Sequence, residues 1–226
     1  MLLAIDTSTE TLSVALAVEE RVVSELSWHS EQNHTRELLP AVDFLLRQAK
    51  ATIKDVSAVV VAKGPGSYNG LRVGMSTAKG LCLALGIPLV GVGTLEVEAF
   101  PKAGMGLPVC PVFEAGRGEI ATAIYRLVGG DWRQLREEHI ATAEALCQEI
   151  GEPTLFCGQM AEATVARLKE CLGERAVFVE GAALLRRAGY LAELGWRRLK
   201  AGHVDDMATL QPLYLRRPAI TKPRHR

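Results

Sequence analysis

Apolar and polar positions change period twice within the first sixty residues. Leu2-Leu3-Ala4-Ile5 is an unbroken apolar run ending at the polar stretch Asp6-Thr7-Ser8-Thr9. Leu12, Val14, Leu16 and Val18 then alternate with small or polar residues, and a third run extends from Val22 to Trp28 beyond the Glu19-Glu20 turn. A period of two marks half-buried strands, so three strands joined by tight turns are expected to form an antiparallel meander. From Thr35 the spacing becomes helical: Leu38, Leu39, Val42, Leu45, Leu46 and Ala49 share one face, with Pro40 in the first turns, where a missing N–H is tolerated. Val56 to Ala62 is rich in β-branched residues, the pattern of a central parallel strand covered on both faces. The glycine-rich turn Lys63-Gly64-Pro65-Gly66-Ser67-Tyr68-Asn69-Gly70 leads from it into a helix that Gly86 and Pro88 stop near Leu85. A short strand over 88–92 and a helical piece over 95–100 follow.

Residues 101–106 are glycine- and proline-rich with little apolar periodicity, which predicts a linker. Beyond it the order repeats, with strands over 109–113, 120–128 and 132–140, a helix over 142–150, a strand over 154–157, a helix over 161–172, a strand over 176–179 and a long helix over 182–199. Two β-β-β-α-β-α units in tandem predict a duplicated α/β architecture. Its first lobe spans 1–103 and a smaller second lobe 104–204, with 205–226 packing back on the first.

Composition narrows the function classes. The 226 residues carry 26 basic and 26 acidic side chains and are 48% hydrophobic, so the global basic excess of a dedicated nucleic-acid binder is missing. There is no run of 18 apolar residues and no basic N-terminal region, and the five cysteines are dispersed without a C-x-x-C pair. A cytoplasmic protein with buried, reduced thiols is expected. No G-x-S-x-G, Walker lysine or H-E-x-x-H is present, and the histidines do not converge on one another.

Small residues recur every four positions after the glycine turn, at Gly66, Gly70, Gly74, Ala78 and Cys82. Such a stripe makes a smooth helix face that admits close approach, at roughly 1 kcal/mol per glycine relative to alanine. On the residues alone, the occupant of that face is either the chain's own sheet and preceding helix or a helix of another protein.

Four ordered stretches carry a resemblance: MLLAIDTST at the start, HTRELLP opening the first helix, KGPGSYNGLRVGMSTAKGL across the glycine turn, and PLYLRRPA near the end. Together they resemble the bacterial TsaB (YeaZ) family, densely over residues 1 to about 100 and again at 210–218. The resemblance implies the actin-like, Hsp70-like and sugar-kinase-like (ASKHA) fold and a role in forming threonylcarbamoyladenosine beside the tRNA anticodon. It further implies a non-catalytic protein that binds and activates the related transferase TsaD, with the TsaE ATPase joining and tRNA met indirectly through the complex. A homodimer is implied when TsaD is absent. The implied interface is the pair of helices over 35–49 and 69–85, with Arg36, Leu39, Val42, Gly70, Gly74, Ala78 and Cys82 as its candidate residues.

Comparison with TsaD sharpens the expectation about chemistry. Where TsaD has the metal-binding H-x-x-x-H, this chain has Thr94 and Glu98, and a threonine with one glutamate does not replace two imidazoles. In ATP-binding members of the fold the first turn pairs the aspartate with glycine, whereas Ser8 stands here. Asp6, Thr7, Ser8, Gly64 and Gly66 are therefore candidates for a degenerate nucleotide site, with ATP or ADP bound at the junction with TsaD and no intrinsic cofactor. The alternative function is an ATP-dependent phosphotransferase or ATPase working in the cleft near Asp6. Glu114-Ala115-Gly116-Arg117 departs from the family's Asp-Ala-Arg, leaving the roles of Glu114 and Arg117 open. The basic tail (Arg216, Arg217, Lys222, Arg224 and Arg226) is a candidate tRNA contact.

Overall fold

The computed structural model describes residues 1–31 and 33–215; the basic tail lies outside them. In chain order the first sheet is built from β1 (Leu2–Asp6), β2 (Thr11–Val18), β3 (Arg21–His29), β4 (Ala58–Ala62) and β5 (Leu89–Val92), with α1 (His34–Gln48) and α2 (Tyr68–Leu85) between them. After α3 (Thr94–Ala99) the second sheet comprises β6 (Val109–Gly116), β7 (Glu119–Val128), β8 (Asp131–Thr142), β9 (Thr154–Gln159) and β10 (Ala176–Phe178), with α4 (Ala143–Glu149) and α5 (Glu162–Leu172) interleaved, and α6 (Ala188–Lys200) follows. The strand orders are β3-β2-β1-β4-β5 and β10-β9-β6-β7-β8. Each sheet thus joins an antiparallel meander to parallel strands, the duplicated ASKHA arrangement.

The continuous apolar runs become central strands because both of their faces are covered. On β1 and β4, Leu3, Ile5, Val59 and Val61 enter the core under α1 and α2. Leu2, Ala4, Val60 and Ala62 point the other way and pack with Ala188, Leu191, Ala192 and Leu194 of α6. The second sheet repeats the scheme: Cys110, Val112, Ile120 and Phe156 meet Leu146 of α4 and Leu168 of α5, while Val109, Phe113 and Leu155 meet Leu95 and Ala99 of α3. Helices α3 and α6 therefore lie between the sheets.

Two expectations change here. Residues 101–106 are not an open linker: Phe100–Met105 is a 3-10 helix that buries Phe100 and Lys102. The expected helix over 182–199 is also interrupted. A 3-10 turn at Gly181–Leu184 gives way to extended backbone at Arg187, and α6 begins only at Ala188. Although assigned by sequence to the second lobe, α6 crosses to the first sheet. Gly195 permits its close approach, since a Cβ there would overlap the Val60 methyls.

The small-residue stripe of α2 is corrected in the same way. Gly70, Gly74, Ala78 and Cys82 are all buried, so they face the chain's own core rather than a partner. A Cβ on Gly70 would overlap the Thr7 carbonyl oxygen, and one on Gly74 would overlap the Thr7 hydroxyl. Val42 likewise turns inward, whereas Leu39 is 54% exposed and Arg36 is exposed. The glycines are explained by α2 lying directly against the turn that follows β1. Gly74→Leu is accordingly expected to lower stability by about 3 kcal/mol or more through overpacking, read as a lower urea midpoint; an unchanged midpoint would contradict the packing.

Candidate functional site

The turn after β1 is where the sequence candidates converge, and it is sealed. The Ser8 N–H and hydroxyl both donate to Asp6 Oδ1, at 2.9 and 2.6 Å. The Thr7 hydroxyl donates to the Gly70 carbonyl at 2.7 Å, and the Ser67 N–H to the Ser8 carbonyl at 2.7 Å. Asp6, Thr7 and Ser8 are each no more than 2% exposed. Gly64, two residues before Gly66, is held by Thr94: the Thr94 N–H donates to Gly64 O at 2.7 Å, and the Gly64 N–H to the Thr94 hydroxyl oxygen at 3.1 Å. Gly66 stands at the exposed rim, where a Cβ would overlap the Ser8 carbonyl. The structure brings all five candidates together and turns the polar side chains of Asp6, Thr7 and Ser8 inward.

The partner of Asp6 is Arg186, which the sequence reading placed inside a helix. Its Nε donates to Asp6 Oδ2 at 2.7 Å, and its Nη2 donates to Thr9 Oγ1 at 2.8 Å and Ser8 Oγ at 3.1 Å. Its Nη1 lies 3.5 Å from Glu98 Oε2. Glu98, which stands in sequence where a TsaD histidine would be, also accepts from Lys102 Nζ at 2.9 Å. Lys102 further donates to the Glu98 carbonyl at 2.8 Å. Two carboxylates and two cations thus form a closed, formally neutral quartet, each member no more than 4% exposed.

Burial pushes the Asp6 carboxyl upward, but the Arg186 guanidinium and the Ser8 bonds outweigh it and hold Asp6 below its ordinary value. Burial likewise works against the Arg186 charge, and Asp6 and Glu98 more than restore it. Two signals for the missed residues were available. Arg186-Arg187 interrupts an apolar run, and Lys102 lies four residues after Glu98.

Two cavities open along the seam between the two sheets. The larger, about 940 Å³, opens between the lobes, with Thr9, Gly66 and Ser67 on one side and Phe113, Ile140 and Met160 on the other. Among the described residues its lining includes the carboxylates Glu10 and Glu114 and no lysine or arginine. Glu114 is committed to structure: its Oε1 accepts from the Ala161 N–H and the Thr164 hydroxyl, both at 2.8 Å, and so secures the start of α5. Arg117 is exposed in the β6–β7 turn at φ 59°.

The smaller cavity, about 590 Å³, lies at the other side of the seam and is lined by Lys63, Glu96, Tyr125, Glu138 and Arg198. Arg198 pairs with Glu96, and Glu138 accepts a 3.4 Å hydrogen bond from Tyr125. Burial pushes the Glu138 carboxyl up to about 7, with Lys63 only partly offsetting it. Among the described residues no group of three or more His, Cys, Asp or Glu is arranged to hold a metal ion, and no helix is long and apolar enough to cross a membrane.

Arg186→Met leaves two buried carboxylates short of their cation and is expected to cost about 3–5 kcal/mol, measured by urea unfolding at neutral pH; a loss below about 1 kcal/mol would contradict the quartet. Because the folded-state value of Glu138 lies above its unfolded one, its stabilising contribution is complete below the ordinary carboxylate range and is lost as pH rises toward 7. Glu138→Gln should therefore flatten stability between pH 5 and 7, a span worth at most about 3 kcal/mol, and thermal melts across that range would read it.

Comparison with known proteins gives this geometry a lineage. The model of the family "TsaD: tRNA N6-adenosine threonylcarbamoyltransferase" matches residues 21–223. The tRNA threonylcarbamoyladenosine biosynthesis protein TsaB of Bacillus subtilis is 34% identical, with 95% of this chain and 93% of that protein covered. TsaB of Escherichia coli is 29% identical over 95% and 94%. The structure of YeaZ from Pseudomonas aeruginosa superposes with a TM-score of 0.81 at 28% identity, covering 95% of this chain and 99% of that one. Similarity over nearly the full length and a matching fold agree: the chain belongs to the TsaB (YeaZ) family of tRNA threonylcarbamoyladenosine biosynthesis proteins.

Proposed function

We propose that this chain is a non-catalytic subunit that binds and activates TsaD during threonylcarbamoyl transfer to the adenosine beside the tRNA anticodon. The observation that carries the reading is the Arg186–Asp6 pair. The aspartate that a nucleotide-hydrolysing relative would aim at a metal and phosphates is here neutralised by the chain's own guanidinium. The neighbouring cleft offers carboxylates and no cation from the described residues, a poor environment for a triphosphate. Both features favour the adaptor over an ATP-dependent phosphotransferase.

The outer faces of α1 and α2 form the proposed TsaD surface. Leu39 and Phe44 on α1 and Leu83 on α2 are 54, 45 and 77% exposed. Between them α2 presents Ser76, Gly80 and Ala84, all exposed, and a Cβ on Gly80 would meet nothing. This outward stripe replaces the inward one read from the sequence, with Arg36 at its rim. A protein of the same fold as the occupant is supported by the match of the TsaD family model to residues 21–223. TsaD can therefore offer a matching helix pair, and a second copy of this chain can take its place in isolation. TsaE joins the assembly, tRNA is met through the complex, and any ATP or ADP binds at the junction with TsaD.

Leu83→Glu and Leu39→Glu are each expected to weaken TsaD association at least about tenfold, since burying one leucine is worth about 1.5–3 kcal/mol. Circular dichroism should remain unchanged, and wild-type affinity for both variants by sedimentation or calorimetry would sink the proposed surface. ATP added to the isolated chain should give no binding heat. Tight binding with phosphate release that is lost in Asp6→Ala would instead favour the phosphotransferase.

A further inference from the structure

Helices α4 and α5 lie side by side on the outer face of the second sheet, their Leu146, Leu168 and Leu172 sharing one core. Arg167 on α5 ties them together. Its Nε donates to Glu144 of α4 at 2.7 Å and its Nη1 to Glu170 at 2.7 Å. One turn further along each helix, three residues after Glu144 and four after Arg167, stand Cys147 and Cys171. Both pack against the core that the two helices share. Both are half-buried, within reach of a small solute.

The other three cysteines are buried and separately engaged. Cys82 hydrogen-bonds the Pro88 carbonyl, Cys110 the Thr122 hydroxyl and Cys157 the Glu98 carbonyl. Burial pushes Cys82 up to about 11 and Cys110 up to about 12. Their burial keeps an oxidant from reaching them.

We infer that Cys147 and Cys171 form a dithiol–disulfide modification site, closed by a peroxide and reopened by a dithiol reductant. The thiolate of one cysteine attacks a peroxide oxygen, forming an S–O bond as the O–O bond breaks, and water leaves. The second thiol then attacks the resulting sulfenic sulfur, forming the S–S bond and expelling a second water. Two electrons pass from the thiols to the peroxide. The proximity of the second thiol makes that step intramolecular, so closure outruns further oxidation of the sulfenic acid.

Burial, reinforced by Cys171, pushes the Cys147 thiol up to about 11, with Arg167 drawing it back in part. The attacking thiolate is therefore a small fraction of the pair at neutral pH. The resulting bond would clamp α4 to α5 on the second lobe, away from the proposed α1–α2 surface.

The test treats the purified full chain with a small excess of hydrogen peroxide, then counts thiols after denaturation and measures the intact mass. Two of the five cysteines should be lost, with a mass decrease of about 2 Da and one cross-linked peptide pairing Cys147 with Cys171. Dithiothreitol should restore all five. Cys147→Ser should abolish the cross-link and divert Cys171 to products heavier by about 16 or 32 Da. Retention of five thiols, a different pairing, a bond between two chains, or a mass gain without loss of about 2 Da in the wild type would overturn the inference.

Discussion

The buried ion pair between Asp6 and Arg186 holds the two halves of this molecule to one arrangement. A carboxylate that is 1% exposed at the end of the first strand must find a cation, and the one it finds comes from the chain returning out of the second sheet. Desolvating either charge alone would cost several kcal/mol, so pairing and full hydrogen bonding are conditions of burial. Glu98 and Lys102 complete the neutrality from the segment that links the sheets. Three remote stretches of chain are therefore tied to one point between the lobes, and the direction in which α6 leaves that point places it on the first sheet.

The same centre bears on chemistry. A guanidinium stands beside the carboxylate of the turn after β1, and an ammonium stands beside Glu98 of α3. The cluster acts as a structural joint, and the neighbouring glycines serve packing: Gly70 and Gly74 let α2 lie against the Thr7 turn without collision. Freed from that inner contact, the opposite face of α2 remains smooth and carries a leucine that is 77% exposed. One helix thereby divides its small residues between the joint inside and an exposed outer face.

Much of the architecture was legible because covered strands and amphipathic helices leave periodic traces. The uninterrupted Leu2–Ile5 and Val59–Ala62 runs report burial on two faces, and both are central strands. The stripe on α2 was legible as a close approach but not as to its occupant, since small residues look alike whether they meet the chain's own turn or another helix. Val42 shows the same limit on α1: one apolar face reads as uniform in sequence, yet Val42 is buried and Leu39 is exposed. Arg186 was illegible because its partner lies 180 residues away. The local apolar pattern favoured a helix, and a long-range charge overruled it.

By itself the sequence determined the succession of strands and helices, the duplication, the family and the absence of a histidine pair at the position where TsaD has its own. These are properties of local periodicity and of residue identity, which are fixed along the chain. Only the tertiary structure decided which charges neutralise one another, which face of α2 is spent internally, and that Lys102 belongs to a core rather than a linker. Pairing of buried charges and contact between small residues depend on distance in space, and no spacing in the chain encodes that distance.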